Sequence, residues 1–173
     1  RDVGSGVGPS GRRLSSTLGR AVTASDPDRR FWPSSPCKGD LDFGDAWHDD
    51  GAGYMHYWSV WHENKPFEAY YTVKPRFCSE FGFQGPPAWR TLTDAVTAAG
   101  GGPLAEADEP HLEPTFLVHQ KAHDGNGKLD RGMAPHLGVP ARFEDWHWAG
   151  QLNQARAIRH AIEHYRSWWP RTA

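Results

Sequence analysis

Little in this chain suits it to a membrane, a nucleic acid or a disulfide framework. No apolar run approaches the roughly 20 residues that a membrane-spanning helix needs. No signal-peptide pattern opens the sequence, which begins at Arg1 rather than Met. A net charge of −2 and a pI near 6.6 exclude the basic footprint of a general nucleic-acid binder. The 2 cysteines, Cys37 and Cys78, give no disulfide framework; reduced, buried thiols are expected, and a cytoplasmic setting is favoured. Metal motifs are missing too. The stretch His119-Gln120-Lys121-Ala122-His123-Asp124-Gly125-Asn126-Gly127-Lys128-Leu129 fails the calcium-loop template, because Lys128 falls on a ligand position and Leu129 where glycine is required. His119 and His123 stand at a zinc-like spacing, but Gly125 and Gly127 argue against a metal-binding helix. Neither a metal nor a cofactor is expected.

Tryptophan, by contrast, is abundant, with 9 copies in a polar chain of mean hydropathy −0.72. Trp beside His, Asp and Glu suits stacking on sugar rings, although core packing accounts for most Trp in most proteins. A chain of 173 residues has room for one domain with a real core.

The organising stretch is Pro75-Arg76-Phe77-Cys78-Ser79-Glu80-Phe81-Gly82-Phe83-Gln84. Phe77, Ser79 and Phe81 alternate with Cys78 and Glu80, which predicts a short, buried strand that carries Glu80 to its end. A carboxylate among three Phe is costly to bury unless it is paired or used. On these residues alone, a structural ion pair and a functional carboxylate are equally supported.

Elsewhere, residues 1–13 are rich in Gly and Ser and are expected to be frayed. Leu14, Leu18, Ala21 and Val22 predict a helix over 14–24. Residues 29–33 are predicted as a strand ended by Pro33, and 34–53 as a loop containing Trp47-His48-Asp49-Asp50. Residues 54–61 form a second, aromatic strand, and 66–71 a helical turn. The spacing of strand, connection and strand implies parallel strands with crossovers. A helix is predicted over 89–99, ending at Gly100-Gly101-Gly102, followed by a long polar loop over 103–143. Leu152, Ala155, Ile158, Ile162, Tyr165 and Trp169 then mark the strongest helix, with Arg159 and Glu163 one turn apart and Pro170 as its stop. Carboxylates at strand ends in a βαβ rhythm point to a barrel-type α/β enzyme.

The motifs Met55-His56-Tyr57-Trp58-Ser59-Val60-Trp61, Arg76 to Gln84, His119-Gln120-Lys121, Asp124 to Leu129 and Gln151-Leu152-Asn153-Gln154-Ala155 occur in order. Together they closely resemble the β-mannosidases of glycoside hydrolase family 2. The resemblance covers roughly 14–173 and implies an α/β fold that is a partial TIM (β/α)8 barrel. It would be a C-terminal half lacking the fourth and eighth strands, and an internal piece of a larger catalytic domain. The resemblance implies a retaining exo-β-mannosidase acting on β-mannoside oligosaccharides or glycoconjugates, with Glu80 as nucleophile. His56, Tyr57, Trp58, Trp61 and Gln84 would surround the sugar; for Trp61, barrel packing is an equal reading. The family's acid/base Glu follows an Asn, whereas this sequence has no Asn-Glu pair, and Glu63 precedes Asn64 in the reverse order. Little activity is therefore expected from the chain alone. A β-galactosidase, β-glucuronidase or exo-glucosaminidase of the same family stays open, as does a non-catalytic carbohydrate-binding remnant. No nucleic-acid or membrane partner is implied, and the oligomeric state is open.

Overall fold

Strands claim few of the described residues. The computed structural model describes residues 9–39, 49–98 and 114–172. Its elements are α1 (Pro9–Ser25), β1 (Tyr54–Tyr57), α2 (Ser59–His62), a 3-10 turn (Phe67–Thr72), β2 (Phe77–Phe81), α3 (Trp89–Ala98), α4 (Pro114–His119), α5 (Gly125–Leu137) and α6 (Phe143–Ser167). The chain divides into two compact units. One holds the residues up to Trp58, Glu68–Phe81 and those from Ala161 on; the other holds Ser59–Phe67 and Gly82–His160. The fold is a helix-rich α/β arrangement with a small parallel sheet.

In the first unit β1 and β2 pair in parallel, as the spacing implied. The turn into β1 is tight. Gly53 sits at φ +67, and a Cβ there would meet the Cys37 carbonyl oxygen at 1.9 Å. That same carbonyl accepts the Tyr54 N–H at 2.8 Å. Behind the sheet, Tyr70 is fully buried and meets the rings of Tyr57, Phe81 and Tyr165 at 5.6–6.3 Å. The end of the chain is tied to the segment before β2, where Thr172 Oγ1 donates to the Pro75 carbonyl at 2.5 Å and Lys74 lies 3.8 Å over the Trp168 ring. Cys37 and Cys78 are both buried and free, matching the expectation of reduced thiols.

Several sequence expectations need correction. Residues 29–33 form no strand. Trp32 is held through its ring instead, stacked on Tyr54 at 4.5 Å and covered by Arg30 at 4.6 Å, so side chains do what a ladder partner would have done. The second strand stops at Tyr57 rather than at Trp61, because Ser59 starts a helical turn: its carbonyl accepts the Glu63 N–H at 3.1 Å. Nor is β2 buried throughout. Phe77 is 42% exposed, since the described residues place no further strand beside it. Helix α1 begins at Pro9, earlier than expected, with proline in the first helical turn where its missing N–H costs nothing. Residues 1–8 and Trp47-His48 lie outside the described residues.

In the second unit, α3 ends at Ala98, as predicted to within a residue; Gly100-Gly101-Gly102 lies outside the described residues. The supposed long loop over 103–143 is largely helical in its described part, 114–143. Its first part, 103–113, lies outside the described residues, but α4 and α5 occupy most of the rest. Glycine content hid α5. Its signal is Leu129 and Met133, one turn apart and both buried, opened by Asp124 at φ 52. Helix α6 was legible, but its buried face was not. The buried stripe runs Trp146, Ala149, Asn153, Ala157, Ala161 and Tyr165, whereas Ile162 and Trp169 are 47% and 69% exposed. Small alanines line the packed side, so of the periodic residues that predict the helix Tyr165 is buried while Ile162 is not, and the helix begins earlier than that period suggests. The unit's core gathers around Trp146, stacked on Phe143 at 5.6 Å and donating its indole N–H to Asp130 at 2.6 Å.

Candidate active site

Parallel pairing brings the carboxyl ends of β1 and β2 together, and the register there is irregular. Tyr54 faces Phe77 and Met55 faces Cys78, but His56 faces Glu80 and Tyr57 faces Phe81. Ser79 is thus the extra residue of a bulge. A bulge re-aims the side chains beside it. Here it sets His56 directly across from Glu80, a pairing that a regular ladder would have given to Ser79.

Around the carboxylate, geometry follows from that register. Trp58 donates its indole N–H to Glu80 Oε2 at 3.1 Å, and His56 Nδ1 lies 3.3 Å from the same oxygen. Glu80 is half-exposed while His56 is only 4% exposed. Burial lowers the His56 pKa below its ordinary value, with the Glu80 charge pulling in the opposite direction. A neutral imidazole and an indole therefore flank the carboxylate. On the far side of His56, Nε2 lies 3.0 Å from Ser35 Oγ, which in turn lies 2.9 Å from Ser79 Oγ. Next to Glu80, Cys78 is pushed up to about 11, mainly by burial. A thiol so protonated is no nucleophile near neutral pH.

Of the residues singled out from sequence, His56, Trp58 and Glu80 come together. Tyr57 turns away: its hydroxyl donates to the Ala69 carbonyl at 2.9 Å and its ring packs on Tyr70. Trp61 and Gln84 belong to the second unit. Trp61 meets Phe83 edge-on at 5.0 Å. Gln84 donates to Gln120 Oε1 at 3.0 Å, and Gln120 donates to Asn126 Oδ1 at 2.9 Å. These three amides rim a cavity of about 310 Å³ whose apolar wall includes Phe116 and Trp146. Sequence reasoning missed Ser35 and Ser79. Ser35 looked like a loop residue, and nothing local announces that its partner is 44 positions away.

A half-exposed carboxylate at the carboxyl end of a parallel strand, flanked by an indole and an imidazole, defines a class of candidate: an α/β chain equipped for acid, base or nucleophilic chemistry. Comparison with known proteins is more specific. No family model matches the chain. It is 28% identical to β-mannosidase B of Emericella nidulans over 153 residues, which is 88% of this chain and 17% of that protein. With β-mannosidase B of Thermothelomyces thermophilus the identity is 29% over 147 residues, 82% of this chain and 16% of that one. The crystal structure of β-D-mannosidase from Dictyoglomus thermophilum superposes with a TM-score of 0.74 and 27% identity, over 94% of this chain and 19% of that structure. The chain resembles a β-mannosidase fragment over most of its length. It spans under a fifth of the length of these relatives.

Proposed function

We propose that this chain is an internal part of a retaining exo-β-mannosidase of glycoside hydrolase family 2, built as a partial (β/α)8 barrel, with Glu80 as its nucleophile. The observation that carries the reading is the Glu80 carboxylate, fixed by Trp58 and His56 at the end of β2, in a chain similar to β-mannosidases. Both contacts fall on Oε2, which leaves Oε1 to attack. In the first step Oε1 bonds to the anomeric carbon of a terminal β-mannose while the glycosidic bond breaks. The bonding pair goes to the leaving oxygen, which takes a proton from a second carboxyl group. In the second step water displaces Glu80 with the same carboxyl acting as base, and configuration is retained. That second group is outside the pairing described here, because the chain has no Asn-Glu sequence.

Trp58 and His56 have a plain role in such a cycle. The Trp58 N–H bonded to Oε2 orients the carboxylate, and the two N–H groups facing it meet the charge that returns when the sugar leaves. The half-buried Trp58 also offers a ring edge to the wall of the sugar site. The substrate is a terminal β-mannoside, and a panel of aryl glycosides separates it from galactoside, glucuronide and glucosaminide.

The test is chemical rescue in the full reading frame that carries this chain. Glu80→Ala is expected to lower turnover of an aryl β-mannoside by about a thousandfold or more. Azide, occupying the space of the lost carboxylate, is expected to restore turnover with α-mannosyl azide as product. Unchanged turnover in Glu80→Ala, or rescue giving the β-azide, removes Glu80 as nucleophile.

A further inference from the structure

The bulge in β2 does more than align Glu80 with His56, because it also leaves Ser79 facing Ser35. We propose that Ser35, backed by Ser79, is a positioning residue that holds His56 in the tautomer whose Nδ1–H faces Glu80. The proposal rests on the reading of Glu80 as an ionised nucleophile and extends it to a residue from a different segment of the chain.

Hydrogen positions decide the matter. A neutral imidazole carries one donor and one acceptor nitrogen, and the group bonded to one nitrogen sets the role of the other. An ionised carboxylate only accepts. With Glu80 Oε2 at 3.3 Å from Nδ1, a lone pair on Nδ1 would repel it, whereas a proton there attracts it. The proton therefore belongs on Nδ1, and Nε2 becomes the acceptor. Ser35 Oγ, 3.0 Å from Nε2, then donates, and its own oxygen is left to accept from Ser79 Oγ at 2.9 Å. Ser79 then donates to Ser35 and Ser35 to His56, and the Nδ1–H of His56 faces Glu80 in electrostatic contact at 3.3 Å rather than in a formed hydrogen bond, while Glu80 accepts from Trp58.

A hydroxyl is the right group for this task because it serves as donor and acceptor at once. An alanine at position 35 would leave Nε2 without the donor that makes it an acceptor. The imidazole would then be free to carry its proton on Nε2 and turn a lone pair towards Glu80. Ser35 touches neither sugar nor reacting atoms, so its effect on turnover passes through His56. That effect is largest when Glu80 departs as a carboxylate in the second step, because the Nδ1–H stabilises the charge that returns to it. A slowed second step lowers kcat and KM together and leaves kcat/KM for an activated aryl glycoside nearly unchanged.

The experiment is nitrogen NMR on the chain labelled at histidine, with His56 identified by its loss in His56→Gln. An unprotonated ring nitrogen resonates far downfield of a protonated one, so the tautomer is read directly. Wild type is expected to show Nε2 unprotonated. Ser35→Ala is expected to cut the ratio of Nδ1–H to Nε2–H by about fivefold, the value of one ordinary hydrogen bond. Ser35→Thr, which keeps the hydroxyl, is expected to restore it. Ser79→Ala, one bond removed, is expected to give a smaller shift in the same direction and serves where Ser35→Ala perturbs folding. A protonated Nε2 in wild type, or an unchanged ratio in both alanine variants, overturns the proposal whatever Glu80 does in catalysis. Turnover that survives Glu80→Ala overturns the nucleophile reading alone and leaves the tautomer result standing.

Discussion

A thiol beside a candidate nucleophile invites suspicion of reactivity, and its surroundings argue against it. Cys78 is buried, donates to the Glu80 carbonyl at 3.4 Å, and is held protonated up to about 11, chiefly by burial. Alkylation of Cys78 by iodoacetamide at about pH 8 is expected to be far slower in the folded chain than in the same chain in urea. Equal rates in the two states would contradict the burial. The same shift has a thermodynamic face. Between its ordinary value of 9.0 and about 11 the folded chain keeps a proton that the unfolded chain has lost, so the fold is favoured below this window and loses that advantage as pH rises through it. Tyr165, also raised by burial, acts with the same sign at higher pH. Urea midpoints are therefore expected to fall between about pH 9 and pH 11, and to fall less in Cys78→Ser.

At the scale of elements, the entry to β1 carries more weight than its single glycine suggests. A side chain at position 53 meets strain from a positive φ and a backbone carbonyl that cannot move without releasing Tyr54. Gly53→Ala is expected to destabilise the chain by about 1–3 kcal/mol, visible as a lower thermal midpoint. A change within a few tenths of a kcal/mol would mean that the turn relaxes freely. What the sequence revealed about elements follows from which signals are local. The parallel pair, the 3-10 turn and α3 announce themselves through alternation, proline spacing and helical period. The strand expected over 29–33 failed because Trp32 and Arg30 resemble strand residues but pack ring to ring. The packed face of α6 is not announced by hydropathy, because apart from Trp146 and Tyr165 its close packing is achieved by Ala149, Ala157 and Ala161, which carry almost no hydropathy signal. At the candidate site, His56, Trp58 and Glu80 stand out in the sequence as motif residues, and the structure brings their side chains together. The bulge that aligns them does not stand out, since one extra residue in a ladder leaves no mark on composition.

At the scale of the whole molecule, the sheet has two strands among the described residues, and neither outer edge carries a further strand, although Cys37 bridges Tyr54 at the start of β1. Such edges recruit other chains, and the half-exposed Phe77 on β2 adds apolar surface there. The 173-residue chain is expected to self-associate in a concentration-dependent way, measured by light scattering across a dilution series, and to release little or no aryl alcohol from an aryl β-mannoside. A monodisperse monomer at all concentrations would contradict the first expectation. Robust turnover that disappears in Glu80→Gln would contradict the second, and would mean that a proton donor for the leaving group is present in this chain after all.

The contact between Ser35 and Ser79 joins positions 44 apart. A search pattern keyed on Ser-Glu-Phe-Gly alone is consequently blind to what distinguishes this carboxylate from any other at a strand end. The informative signature is discontinuous: a serine before a proline, then Met-His-Tyr-Trp, then Ser-Glu, with free spacing between them. Homologues that keep the strand but lose the upstream serine would retain the candidate nucleophile beside a differently held histidine, a divergence that no single-motif alignment would reveal.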